Sequence, residues 1–90
     1  MNQHSESNAS VVLEQIGELS RQFRKQITKG DPITIEKFLQ QVSTKARETL
    51  FSNLLEIEIN YRRSRGDSPS SSDYLQRFPD YSAQVRRAFF

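Results

Sequence analysis

Apolar side chains return every three or four residues along most of the chain. Val12, Ile16, Leu19, Phe23 and Ile27 follow at steps of four, three, four and four, which lines one face of a helix. Ser10 is a candidate N-cap for it, and Lys29-Gly30 supplies a cation and a permissive residue where it should stop. Pro32 breaks the chain. Thr34 then caps a short predicted helix over 35–42, "IEKFLQQV", with Ile33 and Phe38 placed to close as a hydrophobic staple. Ser43 or Thr44 caps a third helix to about Arg63, roughly 20 residues and therefore about 30 Å long. Leu50, Leu54, Ile57 and Tyr61 form one apolar row on it, and Phe51, Leu55 and Ile59 form a second. So wide an apolar arc belongs to a helix packed on two sides, which predicts a central position.

Farther on, Ser70 and Asp73 have the spacing of a capping box, opening a short helix to about Arg77. Phe78 precedes a proline and is biased out of the helical region, while Pro79 suits the first position of a last helix. Tyr81, Val85 and Phe89, four apart, give that helix an inner face. No segment alternates with period two over strand length. The fold class is all-α, a small bundle of about five helices. Residues 1–9, "MNQHSESNA", are nearly free of apolar groups and read as a disordered leader, leaving 10–90 as a single helical domain.

A shift of 36 residues superposes the chain on itself. Lys29-Gly30-Asp31 falls on Arg65-Gly66-Asp67, Thr34 on Ser70, Phe38-Leu39-Gln40 on Tyr74-Leu75-Gln76, and Val42 on Phe78. Upstream, Leu19 and Phe23 fall on Leu55 and Ile59. The bundle is thus also readable as two tandem helix-turn-helix units. The echo changes the meaning of "RGDSP" at 65–69, which spells an adhesive tripeptide. Repeated as Lys-Gly-Asp, the motif reads as a helix stop: a cation for the dipole, a glycine for the left-handed turn, an aspartate to bend the chain beyond it.

Composition narrows the class. Ninety residues with 34% hydrophobic and 27% charged side chains allow one small domain with a modest core. Without cysteine there is neither a disulfide framework nor a thiolate metal site. No signal peptide and no run of about 18 apolar residues is present, so a soluble, cytoplasmic protein with no membrane contact is expected. A net charge of +2 is only mildly basic.

Leu54-Leu55-Glu56-Ile57-Glu58, Tyr61-Arg62-Arg63, Arg65-Gly66-Asp67, Pro69, Asp73-Tyr74, Arg77-Phe78-Pro79-Asp80 and Val85-Arg86 to Phe89 carry a further signal. In these residues the chain resembles the N-terminal helical accessory segment before the catalytic domain of planctomycete-type bacterial serine/threonine protein kinases. Phe23 to Phe38-Leu39 is similar to the earlier half of the same segment, so the resemblance covers roughly residues 20–90. It implies a non-catalytic helical interaction or regulatory domain, with a catalytic domain following Phe90 or with the chain as a stand-alone relative. The implied partner is a protein, such as a kinase catalytic domain in cis or in trans.

The chain itself carries no kinase machinery. Its three glycines lie far apart, His4 is its one histidine, and neither His-Arg-Asp nor Asp-Phe-Gly occurs. No catalytic, cofactor-binding or metal-binding residues are assigned. Glu56 and Glu58 do not share a helix face, and Glu14 and Glu18 read as a solvated face beside Arg21 and Arg24. The candidate partner or phosphate contacts are Arg62, Arg63, Arg65, Arg77, Arg86 and Arg87. They also support an alternative, a helix-turn-helix nucleic-acid-binding protein. Ser68, before Pro69, is a candidate phosphosite. Tyr61, Tyr74 and Tyr81 read as core-edge aromatics with hydroxyls toward solvent.

Overall fold

A computed structural model describes residues 3–90, with side chains from Val11 onward. Helix α1 spans Gln3–Lys29, α2 Ile35–Leu39, α3 Thr44–Ser64, α4 Ser71–Arg77 and α5 Ser82–Phe89, with a 3-10 turn at Pro79–Tyr81 before α5. No strand occurs among the described residues, so the chain is an all-α bundle. Helix α1 begins well upstream of the expected start. Ser10 is therefore an interior helical residue rather than a cap, since no proline or glycine interrupts the backbone between Gln3 and Ser10. Of the expected leader, residues 1–2 and the side chains of 3–10 lie outside the described residues.

Helix α3 is the axis of the molecule. It packs against α1 on one side and α5 on the other, with α2 also upon it and α4 held to α5. Its two predicted rows are the core: Leu50, Phe51, Leu54 and Leu55 are fully enclosed, with Ile57 and Ile59 beside them. Ile16, Leu19 and Phe23 face them from α1, and Val12 and Ile27 pack at the edge of the same face. Phe23 meets Phe38 edge-on, ring centres 5.2 Å apart. On the far side Phe51 packs edge-on to Phe78 at 4.8 Å and stacks on Tyr81 at 4.6 Å. Such aromatic pairs add to simple area burial.

The 36-residue echo is structural. Gly30 and Gly66 both sit at φ +83°, in the left-handed region that a side chain resists. Gly30 N donates to Ile27 O and Asp31 N to Gln26 O; 36 residues later Gly66 N donates to Arg63 O and Asp67 N to Arg62 O. That pair of bonds is a Schellman helix stop, made twice. The caps after the stops also match: Thr34 Oγ1 accepts from Lys37 N, and Ser70 Oγ from Asp73 N. Even the packing transposes, because α1 against α3 becomes α3 against α5, and α2 against α3 becomes α4 against α5. Helix α3 closes the first unit and opens the second.

Three details depart from the expected elements. Helix α2 ends at Leu39 instead of about Val42. Gln41 and Val42 instead close tighter turns onto Phe38 O and Leu39 O, and Arg47 Nε donates to Leu39 O and Val42 O, satisfying the last carbonyls from α3. Ser43 occupies the N-cap of α3 without a side-chain bond to it. Pro79 opens a 3-10 turn and not α5 itself, so the third helix of the second unit starts two residues later than the 36-residue register requires.

Candidate functional site

The second unit contains a polar chain with no counterpart in the first. Glu58 lies on the inner side of α3, four residues after Leu54 and three after Leu55, and is only 9% exposed. Tyr74 on α4, 1% exposed, donates its hydroxyl to Glu58 Oε2. Arg62, one turn beyond Glu58, donates from Nη1 to the same hydroxyl at 3.0 Å and from Nε to Asp67 Oδ2 at 2.7 Å. From the other direction Arg77 brings Nη1 to 3.6 Å from Glu58 Oε2. Its Nε and Nη2 grip both oxygens of Glu36 on α2, each at 2.8 Å. Glu36, Arg77, Glu58, Tyr74, Arg62 and Asp67 thus form one series joining α2, α4, α3 and the Gly66 turn. A two-point guanidinium–carboxylate grip fixes orientation as well as distance.

The repeat explains why this chain exists. Tyr74 stands where the first unit has Phe38, Glu58 where it has Gln22, and Arg62 where it has Gln26. A phenylalanine asks nothing of its neighbours. The buried phenol needs a partner, and a buried carboxylate needs several.

The charges respond as this geometry dictates. Burial, reinforced by the bond to Glu58, pushes the Tyr74 phenol up to about 12. The Arg77 guanidinium holds Glu36 below the usual glutamate value, and Arg62 holds Asp67 below the usual aspartate value. Arg62 and Arg77 are each held more firmly protonated by their carboxylate partners, Asp67 and Glu36. Among the described residues no group of three or more metal-ligating side chains gathers.

The six candidate arginines therefore separate. Arg62 and Arg77 are taken up by intramolecular carboxylates. Arg63, Arg65, Arg86 and Arg87 are exposed and make no ion pair among the described residues. Arg65 lies over the Tyr61 ring at 5.6 Å, and Arg63 lies 6.0 Å from the Phe89 ring centre. Arg63 and Arg87 do meet, across a groove of about 340 Å³ between α3 and α5 whose walls also include Ser52, Glu56, Asn60 and Gln84, with Ile59 at its base. Ser68 is exposed in the link from α3 to α4.

Two expectations need correction. Tyr74 does not turn its hydroxyl to solvent; the ring packs 5.8 Å from Phe89 and the hydroxyl points at Glu58. Ser70 and Asp73 make only half of a capping box, because the reverse bond from Asp73 is absent among the described residues and its side chain is one methylene shorter than glutamate. Sequence reasoning also missed Glu58 as the centre of the polar series. Its signal was present: a glutamate enclosed by Leu54, Leu55, Ile57 and Ile59 within an apolar arc, one helical turn from an arginine.

Fold and geometry together define an overlapping pair of helical hairpins, the second locked by a buried phenol–carboxylate contact. Neither a known family model nor a curated protein or solved structure matches the chain. Among the described residues no helix is long and apolar enough to cross a membrane.

Proposed function

We propose that this chain is a non-catalytic interaction and regulatory domain, the N-terminal accessory region of a bacterial serine/threonine protein kinase or a related signalling protein, working in the cytoplasm. One observation carries the reading: the residues of the kinase-segment resemblance are those that hold the second unit together. Arg62 grips Asp67, Tyr74 grips Glu58, Arg77 grips Glu36, and Gly66 stops α3. A motif used up in holding a shape belongs to a scaffold whose work is done by its outer surface. The surface left over includes the α3–α5 groove with Arg63 and Arg87, which suits a polar or acidic face of a partner protein.

The test is an NMR titration of the isotope-labelled chain with the catalytic domain of a planctomycete-type serine/threonine kinase, paired with an activity assay of that kinase. Shifts should concentrate on Ser52, Asn60, Arg63 and Arg87, and the double variant R63A/R87A should lose them. No shift and no change in kinase activity would remove the reading. The nucleic-acid alternative is weakened because Arg62 and Arg77 already face carboxylates, which a nucleic-acid phosphate would first have to displace. A gel shift that weakens steeply with salt would restore it.

A further inference from the structure

We propose that Ser68 is a phosphoacceptor for a serine/threonine kinase that selects arginine three residues before its target, and that the phosphate is read through Arg62 at the α3–α4 contact. Five serines lie between Arg63 and Asp73, and their surroundings differ. Ser64 closes its hydroxyl onto Tyr61 O at the end of α3. Ser70 uses its hydroxyl to cap α4 and is half-buried, while Ser71 and Ser72 are wound into α4. Ser68 alone among them lies exposed in the non-helical link with its Oγ free of any hydrogen bond among the described residues. Pro69 after it biases Ser68 toward extended backbone, the form a kinase cleft takes up.

Arg65 supplies the selecting charge. It is exposed, outside any ion pair among the described residues, and three positions before Ser68. Pro69 is half-buried, so the arginine and not the proline is the accessible determinant. In the transfer, Ser68 Oγ attacks the γ-phosphorus of magnesium-bound ATP. The new P–O bond forms as the bond to the bridging oxygen of ADP breaks, and the hydroxyl proton passes to the kinase's own carboxylate base.

The neighbourhood gives the phosphate a readout. Asp67, one residue away, has both oxygens engaged: Oδ2 takes Arg62 Nε at 2.7 Å and Oδ1 takes the Ser68 amide at 2.8 Å. A phosphoserine brings close to two negative charges and competes for the same guanidinium. Arg62 also holds the Tyr74 hydroxyl, which holds buried Glu58. Displacing Arg62 therefore perturbs the α3–α4 lock. Any kinase of this selectivity would serve, so a failure here leaves the docking role proposed above standing, and the reverse also holds.

The experiment incubates the folded chain with a purified arginine-selective serine/threonine kinase and ATP, maps the label by mass spectrometry, and records Tyr74 and Arg62 side-chain NMR signals before and after. The expected result is a single phosphate on Ser68. S68A should abolish it, R65A should lose most of the rate, S70A should keep it, and the Tyr74 and Arg62 signals should shift in the labelled chain. S68A and R65A lie at exposed positions, so a melt matching the parent's keeps the comparison clean. Label on Ser70, Ser71 or Ser72, or no label on the folded chain, overturns the site. Label on Ser68 with unmoved Tyr74 and Arg62 signals overturns the readout.

Discussion

Glu58 shows how one residue's meaning can depend on contacts far away in the chain. Its carboxylate is buried, yet it is acceptable because Tyr74 donates to it and Arg77 stands near it. Removing the donor should be worse than removing both partners: Y74F leaves the carboxylate short of a hydrogen bond, a loss of about 1–3 kcal/mol. The double change Y74F/E58Q should recover part of it, and a double-mutant cycle in urea measures the coupling. At Leu54 the expectation is a purely apolar one. The residue is fully enclosed at the centre of α3, so Leu54→Ala should cost about 2–5 kcal/mol. A urea midpoint unchanged from the parent's would contradict its place in the core. Leu54 was legible from spacing alone, because burial of an apolar row follows from period. The pairing of Tyr74 with Glu58 was not, since residues 16 apart are brought together only when α4 docks on α3.

The helix stops and starts are where local chemistry decides most. A glycine at each stop is explained by φ +83°, and a Cβ built at Gly30 or Gly66 meets nothing within 4 Å. The cost of alanine there is therefore conformational and not steric, about 1–2 kcal/mol at each site. G30A and G66A should lower stability by similar amounts, because the two stops use the same hydrogen bonds; thermal melts of the two single variants check this. A large difference would mean the units are not equivalent. Caps at Thr34 and Ser70 and the break before Pro32 were legible, since each depends on a few adjacent residues, whereas Pro79 opens a 3-10 turn and not the last helix itself. The extent of α2 and the upstream run of α1 were less so. Helix α2 is shortened by Arg47, which reaches back from α3 to its carbonyls, a tertiary effect on a local boundary.

For the molecule as a whole, the polar series makes stability depend on pH at both ends. Glu36 and Asp67 have depressed folded values, so their contribution is present above their ordinary values of 4.5 and 3.8 and is lost as pH falls through the lower folded ones. Melting temperature should therefore drop in acid, and E36Q should flatten part of that drop. Tyr74 has a raised folded value. Its contribution is full below the ordinary 10.0 and fades as pH rises toward about 12, where the folded phenol finally ionises. Circular-dichroism melts across that alkaline window should show a decline in the parent that is smaller in Y74F. Because α2 and α4 are joined by the Glu36–Arg77 grip, acid should loosen the contact between the two units before it dissolves the core.

What the sequence by itself determined is the part governed by neighbours in the chain. Helical period, caps and glycine stops are each set by residues within a few turns of one another, and the 36-residue echo is that same local pattern written twice. Together they were sufficient to specify an all-α bundle with α3 at its centre. Tertiary structure decided which charges distant in the chain face each other. Six arginines look alike in one dimension, but Arg62 meets Asp67 within the Gly66 turn, docking of α4 against α2 takes Arg77 into Glu36, and Arg63 and Arg87 are left at a groove. The physical reason is range: a hydrogen bond within a turn is set by backbone geometry, whereas an ion pair across 41 residues, such as Glu36–Arg77, exists only once the apolar faces have closed.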